Sequence, residues 1–118
     1  MILIREAKPK DISALLQLIR ELADFEREPK AVVNTESELH QHIFKDKICN
    51  AIVADDNNEI IGFALYYNSY STWKGKCLYL EDLYVQEARR KRGVGALLFE
   101  KIISIAEYQK VRRLEWLV

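Results

Sequence analysis

Glycine, proline, histidine and cysteine are all scarce in this sequence, and each scarcity closes off a class of protein. Four glycines and two prolines in 118 residues exclude collagen-like and low-complexity chains. The two histidines, His40 and His42, stand two apart in a predicted helix, so their rings do not share a face, and no cysteine cluster joins them. The reading is therefore no metal site. Cys49 and Cys77 both fall in predicted strands and lack the dense spacing of a disulfide framework, although a bond between them stays open. Net charge is missing too. Lys+Arg number 18 and Asp+Glu 18, so no global field steers the chain to nucleic acid or an anionic membrane. Apolar runs stop far short of the roughly 20 residues of a membrane span. Met1 leads straight into Ile2-Leu3-Ile4-Arg5-Glu6, which is charged too soon for a signal segment. These absences read as a cytoplasmic protein with neither membrane nor nucleic acid as partner.

What is present is a folding composition, 49% hydrophobic and 31% charged, at a length that suits one domain over residues 1–118. Ile2 to Glu6 reads as a strand. Asp11 is placed to cap a helix whose apolar residues, Ile12, Leu15, Leu16, Ile19, Leu22 and Phe25, recur at helical spacing. Pro29 ends that helix by Glu28. Thr35-Glu36-Ser37-Glu38 is a capping box, with Glu38 expected to reach back, and a short second helix follows through Leu39 and Ile43. Cys49–Ala54 and Ile60–Tyr67 read as a hairpin around the polar turn Asp55–Glu59. Asn68–Lys76 reads as a loop and Cys77–Val85 as a long strand. A helix carries Val94, Leu97, Leu98, Lys101, Ile102, Ile105 and Ala106, and a last strand runs from Arg113 to Val118. This order predicts a mixed α+β sheet with helices packed against it.

Arg90-Lys91-Arg92-Gly93-Val94-Gly95 sits between a strand and a helix. The first helical amides lack backbone partners and the helix dipole is positive there, so the turn favours an anion. Gly93 and Gly95 allow a sharp turn and close approach of a ligand. Arg89 to Arg92 add cations suited to a pyrophosphate or a 3′-phosphate. Basic residues oppose the helix dipole unless an anion is present. The loop is not a Walker motif, because no Gly-Lys-Ser/Thr closes it, nor a dinucleotide fingerprint, because Arg90 stands where the first glycine belongs.

The preceding strand, Tyr79-Leu80-Glu81-Asp82-Leu83-Tyr84-Val85, holds two carboxylates among apolar residues. Regular alternation places Glu81 with Tyr79, Leu83 and Val85, and Asp82 with Leu80 and Tyr84. An acid there either faces solvent or an arginine, or sits in a cleft where desolvation raises its pKa and suits it to take a proton from an ammonium group. Tyr66, Tyr67, Tyr70 and Trp73 would serve as half-buried strand aromatics or as walls of a substrate groove.

Strand, gap, loop and helix in this spacing resemble the GNAT superfamily of N-acetyltransferases, and most closely its diamine (spermidine/spermine) acetyltransferase branch. Ile4-Arg5-Glu6-Ala7, Leu18 to Ala23, Gly62 to Tyr67 and Tyr70-Ser71-Thr72-Trp73 extend the likeness. The resemblance implies a three-layer α/β/α fold with a mixed, mostly antiparallel sheet and helices on both faces. It implies acetyl-CoA as co-substrate and no metal. Arg90, Lys91, Arg92, Gly93, Val94 and Gly95 would cradle its pyrophosphate, and Leu83, Tyr84 and Val85 would lie along its pantetheine arm. A small cationic amine, a polyamine or diamine, would bind at Glu81, Asp82, Tyr70 and Trp73. Glu81 would act as the catalytic base for direct attack by the neutral amine. The family pattern continues past the strand at Arg113 to Val118 with a further helix, a tyrosine proton donor and two strands, so the fold is expected to be incomplete at its C-terminus. The open edge at Leu114 to Val118 then predicts a homodimer, with strand exchange as one form. The alternative is a CoA-binding or interaction module of the same ancestry, active only when completed by a partner or tail. Nucleic-acid binding through Arg89 to Arg92, Arg112 and Arg113 is disfavoured by the zero net charge.

Overall fold

Five strands, lying side by side in chain order, form one sheet in the computed structural model, which describes residues 1–117. They are β1 (Ile2–Glu6), β2 (Asn50–Asp56), β3 (Glu59–Ser71), β4 (Gly75–Val85) and β5 (Leu114–Trp116). Neighbours among the first four are antiparallel. β5 runs parallel to β4, because helix α3 (Val94–Gln109) carries the chain back before it enters the sheet. Val118, the last residue of the expected closing strand, lies outside the described residues.

Helices cover both faces, giving the three-layer α/β/α fold with a mixed, mostly antiparallel sheet. On one face α1 (Ile12–Phe25) sets Leu15, Leu16 and Leu18 against Val53, Phe63 and Tyr84. Leu39 of α2 (Glu36–His40) and Ile43 of the π-helical turn that continues it close this side. On the other face Val94, Leu98 and Ile102 of α3 pack on Ile52, Ile61, Leu78 and Val85. Each fully buried leucine contributes about 2 kcal/mol of hydrophobic free energy, which is what holds the layers together.

Gly62 fixes how closely β3 meets β4 and α3. A Cβ there would stand 2.9 Å from the Tyr84 carbonyl oxygen, 3.3 Å from Val85 Cγ2 and 3.4 Å from Leu98 Cδ1. The first of these is backbone and cannot rotate away. Gly62→Ala is expected to destabilise the fold by about 1–3 kcal/mol, the usual cost of overpacking, read as a lower urea midpoint at an unchanged slope.

Three local expectations are corrected. Asn68–Lys76 is no loop. β3 and β4 run on as a paired arm, with Asn68 opposite Leu78 and Tyr70 opposite Lys76, and turn only at Thr72–Lys74. Tyr, Ser and Thr suit strands, the Tyr67 and Tyr79 rings stack at 5.4 Å, and Ser71 Oγ accepts the Trp73 and Lys74 amides. The arm looks polar because β2 stops at Asn50, opposite Tyr66, and leaves it without a neighbour on that side. Asp11 makes no side-chain cap for α1; its carboxylate accepts the Lys8 amide at 2.8 Å and pairs with Arg5 Nη1 at 2.7 Å. Arg5 holds the Asp11 pKa below the usual carboxylate range against the opposing effect of burial. Thr35 does accept the Glu38 amide, and Glu38 reaches back to accept from the Thr35 hydroxyl at 3.2 Å, but not from the Thr35 amide, which bonds Asn34 Oδ1 instead.

Candidate functional site

β4 delivers the chain to the glycine loop, and the two together wall a cavity of about 480 Å³. Every residue of the expected cofactor set lines it except Arg92: Leu83, Tyr84 and Val85 from the strand, Arg90, Lys91 and Gly93 from the loop, Val94 and Gly95 from the helix start. Phe25, at the end of α1, completes the wall. The sequence marked it only as a core residue of that helix, yet it is 60% exposed.

Lys91 and Gly93 both adopt left-handed φ, +71° and +76°, in a run of otherwise ordinary geometry. Gly93 is the N-cap of α3, and no side chain caps the helix. The first intrahelical bond shown runs from the Leu97 amide to the Gly93 carbonyl, so the first-turn amides before it stay free for a ligand. A Cβ on Gly95 would lie 3.9 Å from both Leu83 Cδ2 and Val85 Cγ2, ordinary contact, so a small side chain there meets neither strain nor a clash.

The four cations of the loop divide sharply. Arg89 donates to Asp56 at 2.8 Å and to Glu59 at 2.8 Å, tying the loop to the β2–β3 turn. Arg92 stands 3.6 Å from the same Asp56 carboxylate. Arg113, of the other arginine pair, lies 3.3 Å from Glu115. The basic run is thus partly spent on structure, and Arg90 and Lys91 are the two of the four that line the cavity. Arg90 Nε donates to the Val85 carbonyl at 2.9 Å, and its guanidinium lies 4.7 Å from the Phe25 ring and 5.5 Å from that of Tyr84.

A β-bulge corrects the expected placing of the two acids. Pairing of β3 with β4 slips at Leu65/Tyr66: Leu65 meets Asp82 and Tyr66 meets Leu80, leaving Glu81 as the extra residue. Alternation therefore breaks at Glu81. Leu80 shares the α3 face with Leu83 and Val85, while Asp82 goes with Tyr84 to the α1 side. Leu80 and Asp82 do not share a face, and Glu81 parts from Leu83 and Val85. Glu81 is exposed and stays near the Tyr67–Tyr79 stack, where after burial it is the next cause raising the Tyr67 pKa. Asp82 is half-buried. Burial first, then Glu81 and Glu26, push its carboxyl up to about 6. Glu26, next to Phe25, is thus a further acid that the sequence did not single out.

Tyr70 and Trp73 sit at the far end of the hairpin arm, 77% and 93% exposed. Tyr70 pairs with Lys76, six residues up the strand from Asp82, or about 20 Å. The structure does not bring them to Asp82 within one chain. Tyr108 lies near the opposite end of α3 from the loop, about 20 Å along the axis, against a second cavity that also holds Glu6, Tyr66 and Lys101. Among the described residues no group of three or more His, Cys, Asp or Glu side chains has the arrangement of a metal site. Cys49 and Cys77 are free thiols. No helix among the described residues is long and apolar enough to cross a membrane.

A profile of the acetyltransferase (GNAT) family matches residues 14–118. A thialysine N-epsilon-acetyltransferase of Caenorhabditis elegans is 36% identical over 110 residues, covering 93% of this chain and 68% of the relative. One from Bos taurus is 37% identical over 114 residues, covering 89% and 67%. The chain thus spans about two thirds of the length of these relatives. Among solved structures, the F44R mutant of the BH1408 protein from Bacillus halodurans superposes with a TM-score of 0.84 at 23% identity, over 98% of this chain and 82% of that one. That likeness concerns the fold alone. The profile match along most of the sequence, agreeing with the sheet order and with the loop at the end of β4, makes this chain a member of the GNAT family of acetyltransferases.

Proposed function

We propose that the chain transfers the acetyl group of acetyl-CoA to a primary amine of a small cationic substrate, a polyamine or diamine, by direct attack. One observation carries the reading: a single cavity gathers the end of β4, the glycine loop and the uncapped start of α3. These groups suit the cofactor. The free amides of Gly93 to Ala96 and the Arg90 guanidinium offer donors to a pyrophosphate. The apolar walls from Leu83, Tyr84 and Val85 suit a pantetheine arm. Bound acetyl-CoA supplies a thioester carbonyl.

Glu81 and Asp82 face the amine in this reading. An ammonium ion has no lone pair, so one proton must leave before attack. Asp82, whose carboxyl burial pushes up to about 6, is the better matched final acceptor, and exposed Glu81 draws in the cation and relays its proton through water. Thialysine, ornithine and spermidine/spermine appear in the names of similar proteins, all of them amines with further charge. That agrees with an acidic amine site, and it supports the diamine-type branch.

The test is thiol release from acetyl-CoA in the presence of spermidine. Release is expected to depend on the amine. Glu81→Gln is expected to lower kcat/KM about 10- to 100-fold, within the range of general acid–base contributions, at unchanged CoA affinity. An unaltered rate in Glu81→Gln removes that residue from the mechanism.

The second reading, a CoA-binding module that turns over only when completed, rests on the edge of the sheet. Among the described residues β5 pairs with β4 alone, and Trp116 and Leu117 are 48% and 87% exposed. A homodimer with strands exchanged there, or a further segment, would cover it. Saturable CoA binding without amine-dependent thiol release from a monomer, and release from a dimer, favours this reading.

A further inference from the structure

The last turns of α1 reach the glycine loop through one chain of contacts. Glu21 accepts hydrogen bonds from the Tyr84 hydroxyl at 3.1 Å and from Gln86 Nε2 at 3.3 Å. Phe25 lies four residues on, one helical turn along the same face. The Arg90 guanidinium stands 4.7 Å from the Phe25 ring and 5.5 Å from the Tyr84 ring. Its Nε is committed to the Val85 carbonyl.

Arg89 and Arg92, the neighbours of Arg90, are drawn to Asp56. Arg90 is held instead by two rings and a backbone carbonyl, which fix its position and leave its charge uncancelled. Among the described residues its terminal nitrogens have no carboxylate within bonding distance, and Arg90 lines the cavity. A half-buried cation without an anion is costly by itself and becomes favourable when a ligand brings the anion.

We propose that Glu21 is a positioning residue for the anionic part of the cofactor. It anchors the Tyr84 hydroxyl, the Tyr84 ring holds the guanidinium, and the guanidinium meets a phosphate. Glu21 touches no ligand itself. The inference rests on the reading of the cavity as a CoA site. The bland alternative is that the Glu21–Tyr84 bond only pins α1 to the sheet.

Calorimetric titration with CoA and with pantetheine, which lacks every phosphate, separates the two. Tyr84→Phe removes one oxygen and keeps the ring, so it tests the link without endangering the fold; Glu21→Ala removes the other end. Each is expected to weaken CoA about five- to tenfold, the scale of one misaligned charge-assisted bond, and Glu21→Ala, which lies outside the cavity wall, to leave pantetheine unchanged. In an Arg90→Ala background neither is expected to weaken CoA further, because the interaction they serve is gone. Unchanged CoA affinity in both variants overturns the proposal. So does an equal loss for pantetheine, or a loss that persists without Arg90. Absence of CoA binding by the folded parent chain is a different failure, that of the cofactor reading beneath it.

Discussion

Replacing Gly93 with valine is expected to weaken CoA binding about 30- to 100-fold, the equivalent of about 2–3 kcal/mol of backbone strain and misdirected amides. The residue has φ +76°, and nothing lies within 4 Å of a Cβ placed on it. The penalty is therefore conformational rather than steric crowding in the cavity. That makes the prediction graded. Asparagine tolerates left-handed backbone, alanine less so, and β-branched valine least. Affinity is expected to fall in the order Gly, Asn, Ala, Val. Gly95→Ala serves as contrast: its Cβ meets Leu83 and Val85 at ordinary distance, so binding should change little. Equal effects at the two glycines would show that space, not loop conformation, governs binding.

The second large effect belongs to Asp82. Its carboxyl titrates at about 6 in the folded chain and near 3.9 in an unfolded one. Between those values the folded chain keeps a proton that the unfolded chain has lost. Stability therefore falls as pH rises from about 4 to 6, and the loss persists above it. Asp82→Asn removes this penalty. Discounted for partial exposure, the variant is expected to gain about 1–2 kcal/mol at pH 7 and nothing at pH 4, measured by urea unfolding at both. Activity moves the other way. The ionised form must receive the proton, so kcat/KM of the active enzyme should rise with pH through about 6. Asp82→Asn should flatten that limb and lower kcat/KM by about 100-fold. A gain in stability matched by a loss of function marks a residue kept for chemistry. An unchanged acidic limb would return the role to Glu81.

How much of this was legible in the chain depends on range. The glycine loop and α3 announce themselves within a dozen residues, through Gly93, Gly95 and the apolar repeat at Val94, Leu98 and Ile102, so strand, loop and helix were placed correctly. The Glu81 bulge is not visible, because it is a property of how β4 pairs with β3 at Leu65/Tyr66, not of the β4 sequence read by itself. Strict alternation then puts Leu80 with Asp82, and Glu81 with Leu83 and Val85, pairings that the bulge breaks, while Asp82 with Tyr84 stands. The Asn68–Lys76 arm reads as a loop because polarity signals exposure, and a strand with one open edge is exposed. Phe25 and Glu21 were missed as parts of the site for a simpler reason. Glu21 meets Tyr84 across 63 residues of sequence, and only the packing of α1 on β4 brings them together. The ion pairs of Arg89 and Arg92 with Asp56 were hidden likewise, so four cations in a row looked equally available.

The claim on which the rest stands is that CoA binds where β4 runs into α3. Amide chemical-shift mapping of the isotope-labelled chain, titrated with CoA, tests it most directly. The predicted result is a saturable set of changes centred on Lys91 to Ala96 and Leu83 to Val85. Changes centred instead on the cavity around Tyr66, Lys101 and Tyr108, or no changes in a folded chain at millimolar CoA, would contradict it.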